Sequence, residues 1–168
     1  MIIIGIDPGT AITGYGVIEC LGNKYKVLDY GCIRTAAGML LEHRLEKIYQ
    51  GIATLIRLYH PEEAAIEQLF FNKNARTALA VGHARGVIYL AATHNNVEIS
   101  EYTPLQVKQA VVGYGRADKH QVQYMIKTIF KMPDIPKPDD AADALAIALC
   151  HAHYRIIDKK HIEKRDPF

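Results

Sequence analysis

The chain begins MIIIGIDPGTAITGYGVIE over residues 1–19, and this stretch decides the fold. Residues 2–6 form an apolar run without polar alternation, which is typical of a strand buried on both faces. A Pro-Gly turn follows, and a second apolar run over residues 13–18 completes a predicted hairpin. Asp7 therefore stands at the end of a central strand, where an unpaired carboxylate is costly. From this stretch alone, a turn-capping role and a catalytic role for Asp7 are equally good interpretations.

Length and composition indicate one globular domain. The 168 residues are 49% hydrophobic and 23% charged, and a chain of this length buries roughly two-thirds of its unfolded surface. No apolar window is long enough to predict a membrane span, and Asp7 interrupts the apolar N-terminus, so we expect no signal peptide. The 3 cysteines are odd in number and widely separated. This pattern favours reduced thiols and a cytoplasmic location, and it argues against a cysteine-ligated zinc site.

Charge is unevenly distributed along the chain, although the net charge is only +2. Residues 72–131 contain 8 Lys or Arg and 3 Asp or Glu, whereas residues 132–143 contain 1 basic and 4 acidic residues. A basic segment beside an acidic cluster suits a nuclease, because cations hold phosphates and carboxylates hold metal. Random clustering on a solvated surface is the alternative interpretation.

Hydrophobic patterning predicts how the remaining elements follow the hairpin. A third strand is predicted over residues 25–34, an amphipathic helix over 40–59, and a short strand over 64–67 that ends in Glu67. The later elements are a helix capped by Asn74 and ending near His94, a strand over 97–100, a helix over 103–111, a helix with an Asp118/Gln121 capping box, and a helix from Asp139 to about Tyr154.

This order of elements predicts the fold class. Three meandering strands followed by βαβ crossovers give an α/β fold, a mixed five-stranded sheet with helices on both faces. We expect residues 1–155 to form one domain and residues 156–168 to form a charged, flexible C-terminal tail.

Four carboxylates stand out because each lies in apolar surroundings. Asp7 and Glu67 close two separate strands, and Asp140 and Asp143 share one face of the last helix. If the two strands are neighbours and the helix begins at their C-terminal ends, all four side chains converge. Such a cluster repels itself unless a divalent metal neutralises it, and ligands that are all oxygen favour Mg²⁺ or Mn²⁺ over zinc. Each acid alone also has an ordinary structural explanation, such as capping a helix or pairing with a surface lysine.

Four stretches of the chain together resemble the RuvC family of bacterial Holliday junction resolvases. They are IIGIDPGTAITGYGVIE, AAIEQLFFNKNARTALAVGHARGV, VKQAVVGYGRADKHQVQYM and DDAADALAIA, and the resemblance extends from residue 2 to about residue 154. The hexapeptide GIDPGT alone is less specific, since it also resembles a phosphate loop of the actin and sugar-kinase superfamily.

The resemblance implies an RNase H-like fold and a catalytic centre with two Mg²⁺ ions, for which Mn²⁺ substitutes. Asp7, Glu67, Asp140 and Asp143 match the catalytic, metal-binding carboxylates of the family, some members of which have histidine in place of Asp143. Asp139 lies beside this motif, and we expect it to be the N-cap of the last helix.

The resemblance also implies which residues hold DNA. An aromatic side chain in the loop after Glu67 wedges into the junction in this family, and Phe70 fits that position better than Phe71. Exposed aromatic rings next to a phosphate site stack on unpaired bases. The other expected DNA contacts are the basic residues Lys73, Arg76, Lys108 and Lys119.

The histidines and two glycines have weaker interpretations. We expect all 8 histidines to be surface or structural residues. Gly82 and Gly86 lie four residues apart on one face of the second helix, which indicates that another backbone approaches closely. That backbone belongs either to a second copy in a homodimer or to the sheet of the same chain.

The expected function is paired, symmetric nicking of four-way DNA junctions in recombination and repair. Metal-activated water attacks the phosphodiester and leaves a 5′-phosphate and a 3′-hydroxyl, and the expected partners are junction DNA, a second copy and a branch-migration machinery of the RuvA/RuvB type. The alternatives are another RNase H-like nuclease or strand transferase, or a junction-binding module without catalysis. A kinase-superfamily ATPase is disfavoured because that fold needs a second domain with its own phosphate loop.

Overall fold

The computed structural model describes the backbone of residues 1–22, 24–68 and 75–163, and their side chains except those of 75–77 and 156–163. None of the described helices is long and apolar enough to cross a membrane. Within these ranges the order of elements is β1 (Ile2–Asp7), β2 (Ile12–Leu21), β3 (Lys24–Arg34), α1 (Leu41–Tyr59), β4 (Glu63–Glu67), α2 (Ala75–His94), β5 (Glu98–Tyr102), α3 (Pro104–Val112), α4 (Lys119–Ile129) and α5 (Asp139–Glu163).

The strands form one mixed sheet in the order β3-β2-β1-β4-β5. β1 pairs antiparallel with β2 and parallel with β4, and β4 pairs parallel with β5. The predicted five-stranded mixed sheet is therefore confirmed. Because β1 and β4 are parallel neighbours, their C-terminal ends meet at the same edge, as parallel pairing requires.

Helices cover both faces of the sheet, which explains why β1 is apolar on both sides. Ile3 belongs to a core cluster with α3, α4 and α5, whereas Ile4 and Ile6 belong to a cluster with α1 and α2. All three isoleucine side chains are 0% exposed. The prediction of a central strand buried on both faces is confirmed.

Glycine and alanine let α5 lie unusually close to the sheet. A Cβ atom on Gly5 of β1 would come within 2.6 Å of the backbone nitrogen of Ala148, and one on Gly14 of β2 would overlap the carbonyl oxygen of Asp140. The helix presents a run of buried alanines to these glycines, so backbone packs on backbone. This contact sets the height of the first turns of α5 above the ends of the strands.

Several element boundaries differ from those predicted. β2 extends to Leu21 because it pairs along its whole length with β3, and β5 continues to Tyr102, which pairs with Glu67. α5 continues to Glu163 rather than ending near Tyr154, since no glycine or proline interrupts that stretch. The predicted capping box of α4 is confirmed, and α3 begins with a second one formed by Thr103 and Gln106.

Candidate active site

The first two carboxylates lie at the C-terminal ends of the neighbouring strands β1 and β4. Ile6 and Ile66 are paired in register, and Asp7 and Glu67 each follow directly after that pair. Both side chains are half-buried. The expectation that these two acids meet at one edge of the sheet is confirmed, because a shared register places both residues at the same level.

The first turns of α5 bring the other two carboxylates to the same edge. Asp140 is held over β2 by the contact between its backbone and Gly14. Asp143, one turn further, is half-buried and lines a cleft with Glu67. The four predicted carboxylates are thus drawn together from β1, β4 and α5.

The pKa of Asp7 shows how closely the four acids interact. Burial is the main cause that raises this pKa from 3.8 to about 7, followed by the negative charges of Asp143, Glu67 and Asp140. The ammonium group of Lys119 opposes this rise. A carboxyl group at the centre of three others therefore holds its proton near neutral pH, unless a cation enters the cluster.

The pKa values of Glu67 and Asp143 are raised as well. Burial, and then the charge of Asp143, raise the pKa of Glu67, while Lys108 and Arg85 act against this rise. Burial also raises the pKa of Asp143, against the hydrogen bond and charge of Lys119. Carboxyl groups with raised pKa values in a cleft are typical of functional sites rather than of solvated surface acids.

Lys119 is the cation that reaches this cluster. Its Nζ atom donates to Asp143 Oδ2 at 3.0 Å and to Asp139 Oδ2 at 3.3 Å. Asp139 also accepts a hydrogen bond of 3.0 Å from the side-chain amide of Gln123. Our expectation that Asp139 caps α5 is wrong, because Asp139 is already the first residue of that helix and its carboxylate bonds to Lys119 and Gln123 of α4 instead.

A cleft of about 210 Å³ connects the acids to two of the predicted DNA-binding lysines. Glu67, Asp143, Lys108 and Lys119 line it, together with apolar side chains of α3, α4 and α5. Lys108 lies on α3, and Lys119 is the first residue of α4. The structure therefore brings both lysines to the carboxylate cluster.

The donor set of this cluster suits a hard divalent cation. Its ligand atoms are carboxylate oxygens, which favour Mg²⁺ and Mn²⁺, and the repulsion that raises the pKa of Asp7 is what such an ion relieves. Among the residues that the structure describes, however, no three acidic, histidine or cysteine side chains are close enough to form a ready-made metal shell. The acids fit the ion chemically, but their side chains would have to move inward to coordinate it.

The remaining predicted site residues include four whose side chains the structure does not describe. Phe70, Phe71 and Lys73 lie outside the described residues, and so does the side chain of Arg76. His151 is a structural residue, since it is buried between Glu63 Oε2 at 2.7 Å and the hydroxyl of Tyr102 at 2.8 Å.

Comparison with known proteins points to one family. A family model described as crossover junction endodeoxyribonuclease RuvC matches residues 3–151. The crossover junction endodeoxyribonuclease RuvC of Desulforamulus reducens is 62% identical over 154 residues, which cover 92% of this chain and 94% of that protein.

Solved structures agree with this match. Thermus thermophilus RuvC in complex with a Holliday junction substrate aligns with a TM-score of 0.90 at 34% identity, over 94% of this chain and 96% of that chain. A second Thermus thermophilus RuvC structure aligns with a TM-score of 0.88 at 35% identity, over 94% of this chain and 97% of that one. These matches confirm the predicted RNase H-like fold.

Proposed function

The chain belongs to the RuvC family of crossover junction endodeoxyribonucleases, and we propose that Asp7, Glu67, Asp140 and Asp143 hold the metal with which it cuts four-way DNA junctions. One observation carries this proposal. The pKa of Asp7 is raised to about 7 by burial and by the charges of the three acids that would share the metal with it. Once its acids are ionised, a cluster arranged in this way is stabilised by a cation that neutralises it.

Each carboxylate has a separate part in this proposal. Two Mg²⁺ ions held by these residues would supply the chemistry of a metal-activated water and would neutralise charge on the phosphodiester oxygens. Asp7 lies at the centre of the electrostatic cluster and would be the ligand that both ions share. Glu67 and Asp140 would supply further ligands, and Asp143 would bind one ion or orient the water. Cleavage leaves a 5′-phosphate and a 3′-hydroxyl.

Lys108 and Lys119 hold the DNA backbone beside the cut. Both line the cleft that contains Glu67 and Asp143, so a phosphate that reaches the acids also reaches the two ammonium groups. Lysine is a point charge that binds phosphate without reading bases. Lys119 also lies at the N-terminus of α4, which attracts phosphate. Phe70, Phe71, Lys73 and Arg76 are proposed to extend this DNA surface.

The active form is a homodimer joined through α2. A Cβ atom on Gly82 or Gly86 would meet no described atom within 4 Å, which argues against tight packing of this face on the chain's own sheet. Leu79 and Leu90 lie on the same side of α2 and are 63% and 47% exposed. A two-fold dimer supplies two equivalent active sites for the two equivalent strands of a junction.

The setting in the cell follows from the same family. We place the protein in the cytoplasm, where Cys20, Cys32 and Cys150 stay reduced, and all three are free thiols in the structure. Its work is recombination and repair, together with a branch-migration machinery of the RuvA/RuvB type. The nuclease domain is proposed to comprise residues 1–155, in keeping with a family match that ends at residue 151.

Cleavage of three DNA substrates separates this proposal from its alternatives. The protein should nick a synthetic four-way junction symmetrically in Mg²⁺ and leave a plain duplex and an RNA–DNA hybrid intact. Chelation should stop the reaction, and Mn²⁺ should restore it. Preferred cutting of the hybrid would indicate another RNase H-like nuclease, and junction binding without Mg²⁺-dependent cutting would indicate a binding module.

A further inference from the structure

Arg85 of α2 is a buried cation close to the active site. Arg85 is 8% exposed, and no other lysine or arginine is buried among the residues that the structure describes. A buried guanidinium is costly unless its charge is paired and its donors are used. Its contacts therefore indicate what it is there to hold.

The guanidinium of Arg85 joins three elements. One of its terminal nitrogens, Nη1, donates to the backbone carbonyl oxygen of Glu67 at the end of β4. The other, Nη2, lies 3.0 Å from Glu101 Oε1 on β5 and donates to the hydroxyl of Tyr89 at 3.1 Å. The Tyr89 hydroxyl in turn donates to Glu101, which closes the network.

These contacts fall where β1 no longer pairs with β4, on one side of Glu67. The pairing of β4 with β1 ends at Ile66, one residue before Glu67. On the other side, the amide of Gln68 donates to the carbonyl of Tyr102 at 2.7 Å. Arg85 thus donates a side-chain hydrogen bond to the carbonyl oxygen of Glu67. This bond ties the Glu67 peptide to α2 and, through Glu101, to β5.

We propose that Arg85 is a positioning residue, which holds the backbone of Glu67 so that its carboxylate faces the metal site shared with Asp7 and Asp143. This inference rests on the proposed function, in which Glu67 is a metal ligand. Arginine suits the role because its rigid fork bonds a carbonyl and a carboxylate at once, whereas lysine presents one compact charge.

Metal affinity is the quantity that tests this role. Groups that orient a metal ligand typically change metal affinity by about 10- to 100-fold when they are removed. Arg85→Met keeps an unbranched side chain but loses every donor, so Mn²⁺ binding measured by titration calorimetry should weaken at least tenfold. Affinity for a four-way junction in Ca²⁺ should change less than about twofold, because the DNA-binding lysines are untouched. The matched control Arg57→Met, on the exposed side of α1, should bind Mn²⁺ as the wild type does.

Thermal unfolding shows whether Arg85→Met is folded. If it is not, two further variants test the same inference. Arg85→Lys keeps the charge near Glu101 but not the fork, and it should recover part of the lost Mn²⁺ affinity. Glu101→Gln removes the negative charge that pairs with the Arg85 guanidinium, at a side chain that is partly exposed. It should weaken Mn²⁺ binding by a smaller factor than Arg85→Met. Wild-type Mn²⁺ affinity in the folded variants would overturn the inference.

Glu67→Gln distinguishes failure of the inference from failure of the proposed function. If Glu67→Gln binds Mn²⁺ and cuts junctions as the wild type does, the metal role of Glu67 is wrong and the proposed function falls. If Glu67→Gln loses Mn²⁺ binding while Arg85→Met and Glu101→Gln keep it, only the positioning role of Arg85 is wrong.

Discussion

The backbone of Gly14 in β2 lies directly against the carbonyl oxygen of Asp140 at the start of α5. No side chain fits between them, so the hairpin sets the position of the helix that carries two of the carboxylates proposed to be catalytic. This contact links the fold to the chemistry, since a shift of α5 moves both Asp140 and Asp143 relative to Asp7.

Gly14→Ala should therefore impair catalysis. The added methyl group overlaps the Asp140 carbonyl, and relief of such an overlap typically costs about 1–3 kcal/mol of stability. We expect junction cleavage to fall at least tenfold at a temperature where the variant is still folded. Gly38→Ala is the matched control, because a Cβ atom there meets no described atom within 4 Å. A folded Gly14→Ala protein with the cleavage rate of Gly38→Ala would contradict this account.

The raised pKa of Asp7 predicts how pH affects the metal-free protein. The pKa is 3.8 as an ordinary value and about 7 in the folded state, so the folded state holds a proton that the unfolded state releases. The contribution of Asp7 to the free energy of unfolding is therefore fully present below pH 3.8, and it is lost as the pH rises towards about 7. Above that pH the loss is constant.

Denaturant unfolding in EDTA, compared with Asp7→Asn, measures this effect. The asparagine variant lacks the titrating group, so the stability of the wild type relative to this variant should fall across that range of pH. Adding Mg²⁺ should restore the wild type at pH 8, because the ion neutralises the ionised cluster. A pH-independent difference between the two proteins would show that Asp7 titrates normally.

The sequence revealed the strand-end acids because they violate a local rule. Asp7 and Glu67 each end an apolar run that should be buried, and the sheet order places those runs side by side, as convergence of the acids requires. Asp143 is conspicuous for the same reason, since it lies among alanines and leucines. In each case a charge in an apolar pattern is visible without knowledge of the tertiary structure.

The supporting residues could not be predicted, because their roles depend on contacts between distant segments. Gly14 looks like a common strand glycine until α5 is packed against it, and Arg85 looks like a surface charge on an alanine-rich helix. The role of Asp139 was wrongly predicted because a sequence pattern does not distinguish an acid that caps a helix from one that is its first residue. Phe70 and Phe71 lie outside the described residues, so their role in binding DNA stays a prediction.

Lys119 should contribute to junction binding through charge alone. Each phosphate contact contributes about −0.9 to the slope of log affinity against log salt concentration on duplex DNA. Lys119→Met should therefore make this slope shallower by about one unit, without a change in the preferred cutting position. The control is Lys26→Met, because Lys26 is an exposed residue of β3 near the hairpin with β2. This substitution should leave the slope unaltered. Equal slopes for the two variants would exclude a phosphate contact by Lys119.

The open face of α2 predicts different effects for two substitutions at Gly86, one on the stability of the monomer and one on dimerisation. Gly86→Ala should not destabilise a monomer, because alanine is a better helix former than glycine by up to about 1 kcal/mol and the added Cβ meets nothing in the described chain. Gly86→Glu should place a charge in the proposed interface and prevent dimerisation, as measured by analytical ultracentrifugation. A Gly86→Glu protein that remains dimeric would show that the dimer uses another surface.

Asp7 provides the most direct test of the central claim, that four carboxylates hold the catalytic metal. Asp7→Asn keeps the size of the side chain but removes the charge at the centre of the cluster. The account predicts that this variant binds a synthetic four-way junction in Ca²⁺ within about twofold of the wild type, and that its Mg²⁺-dependent nicking rate falls about a thousandfold, or about 4 kcal/mol in the barrier. Normal nicking by folded Asp7→Asn would contradict the account.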